Sequence, residues 1–166
     1  MKRNFYLMLV FVMFFTSCQT KKEPAAVNPE AVKLEVNKML NGLDSVLKTK
    51  DVETLLTYYT DDAVFCGTDP SEIWDKTAYG KGMTDMLSDT VSKFNFKIEV
   101  GTIQVDKGGT SVNVTRHFIP GWSDPLPVRE TMHLIKTDNK WLIDFTSFGF
   151  VPLNADIPKL MEVLKK

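Results

Sequence analysis

Few side chains in this sequence could do chemistry, and their spacing limits what that chemistry could be. The two histidines, His117 and His133, fall in separate alternating stretches with no carboxylate at ligand-like spacing, so no metal site is expected. Cys66 ends the apolar run Ala63-Val64-Phe65-Cys66. No histidine or helix start lies near to lower its pKa, and it reads as a small buried hydrophobe rather than a nucleophile. Asp69 stands in Gly67-Thr68-Asp69-Pro70-Ser71, where an aspartate ordinarily bonds its own backbone and only secondarily serves as a base. Asp61 and Asp62 read as a helix end facing water. Tyr58 and Tyr59 differ in face, so one of them points inward, where its hydroxyl needs a partner.

The period-two stretches near the C-terminus carry the remaining candidates. From Trp141 to Phe148, strict alternation puts Trp141, Ile143, Phe145 and Ser147 on one face and Leu142, Asp144, Thr146 and Phe148 on the other. His133 shares a face with Arg129 and Thr131, and His117 shares one with Asn113 and Thr115. Arg116 lies instead with Val112, Val114 and Phe118. An arginine on an apolar face pairs with an acid, reaches out to solvent, or binds an acidic ligand headgroup.

The elements that must position these groups are legible in outline. Asn28-Pro29-Glu30 is a helix start, with an N-cap residue and proline at the first helical position. Val32, Val36, Met39, Leu40, Leu43, Val46 and Leu47 repeat at three and four, giving a long helix to about Lys48. Asp51 caps a second helix expected to reach Tyr59, and Ala63 to Cys66 follows as a short strand. The loop from Gly67 to Gly80 holds Ile73, Trp74 and Tyr79, which are costly to leave in water, so it should fold over something apolar. A third helix is expected from Lys81 to Val91. Four antiparallel strands follow, about Asn95 to Val105, Ser111 to Ile119, Val128 to Thr137 and Trp141 to Phe148, with tight turns at Asp106-Lys107-Gly108-Gly109 and Asp138-Asn139. A last helix is expected from Pro158 to Leu164, capped by Asp156 and anchored by Ile157, Leu160, Met161 and Leu164. Helices first and a strand meander afterwards is an α+β layout, with helices on one face of a curved antiparallel sheet.

The N-terminus has a different character. Lys2 and Arg3 precede an apolar run from Phe5 to Phe15, which ends in Thr16 and Ser17 before Cys18. That is the order of a secretory signal peptide, too short for a comfortable membrane span. Phe15-Thr16-Ser17-Cys18 resembles the bacterial lipobox, although Phe15 replaces the usual leucine at its first position. The resemblance implies cleavage before Cys18 and diacylglycerol on its sulfur, and two or more acyl chains anchor a protein stably. The chain thus divides into a signal peptide over residues 1–17, a lipidated cysteine and polar, proline-containing tether over 18–28, and one domain over 29–166.

Removing residues 1–17 takes Lys2 and Arg3 from the 20 basic residues and nothing from the 21 acidic ones. The remainder carries a formal charge of −3, so nucleic acid is not an expected partner. With Cys18 lipidated, Cys66 has no partner in the chain, since only two cysteines are present.

The domain resembles the SnoaL-like branch of the nuclear transport factor 2-like superfamily, the cone fold that includes ketosteroid isomerase and scytalone dehydratase. Three stretches carry the resemblance. Leu56 to Phe65 is similar to the family's passage from helix to strand, Gly80-Lys81-Gly82 to the start of its third helix, and Arg129-Glu130-Thr131 with Lys136 to Ile143 to its terminal hairpin. The likeness implies a concave sheet closed by helices around an apolar pocket, and frequently a homodimer through the outer sheet. It names no single reaction. Catalytic members use a carboxylate with a tyrosine or second acid. The isomerase base would fall at Gly67, with Asp69 two residues late, and relatives often carry histidines where this chain has Phe145 and Ser147.

The resulting expectation is an envelope lipoprotein whose cone takes a small apolar or amphipathic ligand, without catalysis and without a cofactor. Tyr58, Tyr59, Trp74, Arg116, Trp141, Phe145 and Ser147 are the residues expected to line it. The alternatives are a cofactor-free isomerase, dehydratase or hydrolase using Asp69 or Asp144 with Tyr58, Tyr59 or His133, and an interaction module whose cone is filled by its own side chains.

Overall fold

The computed structural model describes residues 27–88, 98–120, 123–124 and 126–165. The expected signal peptide, Cys18 and most of the expected tether lie outside them, as do the expected helix end at Val91 and strand start at Asn95. No helix among the described residues is long and apolar enough to cross a membrane.

Helix α1 (Pro29–Thr49) begins where Asn28 accepts hydrogen bonds from the Glu30 and Ala31 amides and ends at Lys50 in the left-handed region. Its buried stripe is Val32, Val36, Leu40 and Leu43. Helix α2 (Val52–Leu56) starts under the Asp51 cap, the Thr54 amide donating to Asp51 Oδ1 at 2.9 Å. It stops earlier than expected because Tyr59 begins a strand, β1 (Tyr59–Cys66), in which Asp61 and Asp62 also lie. The competing force is pairing: Tyr59 stands opposite Ile143, and the Ile143 amide donates to the Tyr58 carbonyl at 2.9 Å.

A two-residue strand β2 (Ile73–Trp74) folds back on β1 within the expected loop. Helix α3 (Lys76–Ser88) then starts five residues before the expected Lys81, because Asp75 caps it through the Ala78 amide at 2.8 Å. Gly80 is a helix-interior residue rather than punctuation. A Cβ there would lie 2.7 Å from Leu56 Cδ1, so glycine is what lets α2 and α3 approach.

Strands β3 (Glu99–Val105), β4 (Ser111–Phe118), β5 (Val128–Thr137) and β6 (Lys140–Phe150) form the meander. Asp138 and Asn139 both adopt positive φ, as a two-residue type I′ hairpin requires. The six-stranded sheet runs β2-β1-β6-β5-β4-β3. It is mixed rather than antiparallel, because β1 joins β6 in parallel. Helices α1 to α3 pack on its concave face around Phe65, Val114, Met132, Leu134 and Ile143.

One irregularity changes which side chains face inward. His133 pairs with Phe145 but Leu134 pairs with Ile143, so Asp144 is an extra residue, a bulge in β6. Before the bulge Trp141 and Ile143 are buried; after it the buried residue is Thr146, and Phe145 is exposed. The alternation expected from the sequence therefore breaks, and Phe145 and Ser147 turn to the outer face.

The last helix, α4 (Ile157–Leu164), forms where expected but without its expected anchors. None of its residues is buried, and the Asp156 side chain makes no capping bond.

Candidate functional site

The wide end of the cone encloses a cavity of about 570 Å³. Its apolar walls include Leu43 and Leu47 of α1, Met83 and Met86 of α3, Trp74 of β2, and Phe118, Val128 and Phe148 of the sheet. Each reaches the cavity for a local reason. The α1 stripe continues inward past Leu40, α3 turns its Met83 face to the sheet, and Phe148 follows Thr146 on the inner side after the bulge.

The polar part of the lining centres on Arg116. This residue is 1% exposed yet charged, and two acids hold it. Its Nε donates to Glu130 Oε2 at 2.8 Å, Nη2 lies 2.6 Å from the same oxygen, and Nη1 donates to Asp44 Oδ1 at 2.7 Å. Arg116 and Glu130 are cross-strand partners on β4 and β5, which fixes their contact by register. Desolvation works against the guanidinium charge, but Glu130 and then Asp44 outweigh it and push the Arg116 pKa above its ordinary value. An acidic ligand headgroup at Arg116 would meet a guanidinium already paired with two carboxylates.

Tyr59 and Tyr79 complete the floor. The two rings meet edge to face at 5.6 Å, and Tyr79 stacks on Phe65 at 3.8 Å. Burial chiefly raises both phenol pKa values, well above the ordinary value for Tyr59. Both hydroxyls are therefore neutral hydrogen-bonding groups at physiological pH.

The sequence candidates divide cleanly. Tyr59, Trp74 and Arg116 line the cavity. Tyr58 does not; it packs against Gly42 on the far side. Trp141 lies with Tyr58 and Met39 at a separate shallow site, its indole N–H donating to Glu35 at 3.0 Å. Asp69 is an exposed turn residue accepting from the Ser71 amide and hydroxyl at 2.8 and 2.5 Å, bonds that lower its pKa. His133 and Asp144 do meet, Nδ1 to Oδ1 at 2.7 Å. They meet on the outer face, to which the bulge also turns Phe145 and Ser147. No group of three or more histidine, cysteine or acidic side chains suited to a metal ion occurs among the described residues.

Glu130, Tyr79 and Glu72 line the cavity although the sequence did not single them out as site residues. Glu130 had a usable signal, since it alternates with Val128, Met132 and Leu134 and so stands on an apolar face. Tyr79 was hidden by the late placement of the helix start. For Glu72, in the turn before β2, no sequence signal was available.

The SnoaL-like domain family matches residues 36–148, which span all the elements that build this cavity. The chain belongs to the SnoaL-like domain family. Solved structures share the fold at low identity. An NTF2-like protein of unknown function from Pseudomonas putida KT2440 is 14% identical, with 76% of this chain and 92% of that one covered at a TM-score of 0.59. A putative scytalone dehydratase from Novosphingobium aromaticivorans DSM 12444 is 15% identical, with 75% and 87% covered at 0.60. A domain of unknown function with a cystatin-like fold from Nostoc punctiforme PCC 73102 is 11% identical, with 82% and 87% covered at 0.67. No curated protein matches the chain. At these identities the likeness establishes the SnoaL-like cone and leaves its chemistry to the residues inside it.

Proposed function

We propose that this chain is an exported lipoprotein, held on a membrane by lipid on Cys18, whose SnoaL-like domain binds a small apolar or amphipathic molecule without transforming it. The cavity carries this reading. At about 570 Å³ it is within the range of small-molecule pockets, roughly 300–1,000 Å³, and is walled mainly by apolar side chains with a few convergent polar groups. A cone filled by its own side chains would lack that space. The non-catalytic part rests on Glu130: one of its oxygens already takes two Arg116 donors, and protonating it would deprive a buried arginine of a countercharge. The anchoring part rests on the order of Lys2, Arg3, the apolar run and Cys18. Homodimerisation through the outer sheet belongs to the same reading, supported there by the exposed neighbours Val64 and Phe145.

A catalytic reading has one specific observation behind it. Glu130, Tyr59 and Tyr79 share a single cavity, which is the acid-plus-hydroxyl pairing that a cofactor-free isomerase, dehydratase or hydrolase needs.

One experiment separates the two. The protein is incubated with a small-molecule extract of its host, and both bound and free fractions are followed by mass spectrometry over time. Retention of an unchanged compound supports binding. Time-dependent loss of a compound with appearance of a product supports catalysis. In parallel, Cys18→Ser should move the protein from the membrane to the soluble fraction.

A further inference from the structure

The charges around the cavity are unequal, and their arrangement bears on what the cavity holds. Three of the five Arg116 N–H donors are engaged, Nη1 by Asp44 and Nε and Nη2 by Glu130, and the two carboxylates outnumber its single charge, so Arg116 offers a ligand anion little attraction. Counted together, Asp44, Arg116 and Glu130 carry a formal charge of one negative unit. Of these three, Arg116 and Glu130 line the cavity, and the lining as a whole holds three acids, Glu72, Asp85 and Glu130, against two bases, Lys81 and Arg116, a formal charge of −1. Among the described residues no donor reaches Glu130 Oε1.

Aromatic rings surround this acidic floor. Tyr59, Tyr79, Trp74 and Phe148 line the cavity, and an aromatic face that a cation reaches attracts it, most strongly where water is excluded. After burial, which dominates, Glu130 raises the pKa of both Tyr59 and Tyr79 by more than Arg116 lowers it. That direction agrees with the excess of acids in the lining.

We infer that the cavity takes an apolar organic cation, an amine or quaternary ammonium whose hydrocarbon part fills the walls and whose charge lies beside Glu130 among the aromatic rings. This rests on the binding reading above and adds the sign of the ligand's charge.

The test uses the full chain in nonionic detergent and three probes of similar size: 1-naphthylmethylammonium, 1-naphthalenemethanol and 1-naphthoate. Ligand-observed NMR titration, with a detergent-only control, gives each affinity. The ammonium should bind at least tenfold more tightly than the alcohol, with the carboxylate weakest. Glu130→Gln should remove the preference of the ammonium over the alcohol. Should that variant fail to fold, Asp44→Asn keeps the Arg116–Glu130 pair, neutralises the excess charge and should cut the preference several-fold. An alcohol or carboxylate that binds as well as the ammonium overturns the inference and leaves the binding reading standing. A preference undiminished in the folded variants also overturns it. Failure of all three probes to bind counts against both.

Discussion

Arg116 and Glu130 face each other across β4 and β5 with two guanidinium donors on one carboxylate oxygen, Nε at 2.8 Å and Nη2 at 2.6 Å. Both side chains are almost fully buried, so each supplies a countercharge to the other where water cannot. Removing one partner of such a pair typically costs about 3–5 kcal/mol. Arg116→Met should therefore lower unfolding stability by about that amount in a urea titration. Adding Glu130→Gln to it should restore part of the loss, because the stranded charge is then gone.

Gly82 lines the cavity within α3, and a Cβ there would meet nothing within 4 Å. Gly82→Ala should stabilise the helix by about 0.5–1 kcal/mol through propensity alone. Gly82→Phe should keep that stability yet place a ring at the mouth. Its thermal midpoint should match or exceed wild type, while probe affinity falls at least tenfold.

Helix α4 carries no buried residue, and Leu160 and Met161 are 40% and 49% exposed. Ending the chain at Asp156 should shift the thermal midpoint by no more than about 2 °C, the scale of a few tenths of a kcal/mol in a domain of this size. A larger drop would mean that the helix is held by a contact absent from this arrangement.

Stability should fall at both pH extremes, for different groups. Asp51, Asp69 and Asp106 have folded pKa values below the ordinary 3.8, caused first by the Thr54 side chain, the Ser71 side chain and the Ser111 amide respectively. Depressed carboxylates contribute stability above the unfolded pKa, and it is lost as pH falls through the folded one. Asp106→Asn should flatten the acid limb below about pH 4. Tyr59 and Tyr79 act oppositely: their raised values mean that the folded state keeps protons that the unfolded state releases, so stability falls as pH rises past about 10. Absorbance at 295 nm should show these two tyrosines ionising only with unfolding.

Asp69, Asp144 and His133 stand outside the cavity, which distinguishes them from Glu130. Asp69→Asn, Asp144→Asn and His133→Gln should each leave probe affinity within about twofold of wild type.

The parts of the fold legible in the sequence were those governed by neighbours along the chain. Asn28-Pro29 set the start of α1, its three-and-four repeat set the buried face, and Asp138-Asn139 set the hairpin between β5 and β6. What escaped depended on distant partners. Tyr59 suits either a helix end or a strand start, and pairing with Ile143 decides for the strand. The parallel union of β1 and β6 is likewise a tertiary outcome. The cavity was half legible: alternation placed Arg116 on the inner face, and the same parity argument places Glu130 there, whereas the extra residue at Asp144 inverted the expected positions of Phe145 and Ser147.

The central claim is that the cone holds a small molecule in the cell. Native mass spectrometry of the mature protein purified from its host, wild type beside Gly82→Phe, tests it most directly. The account predicts a small-molecule adduct on the wild type that is absent or strongly reduced in Gly82→Phe, with both proteins folded. A wild type without any adduct, together with identical spectra for the two proteins after incubation with host extract, would contradict it.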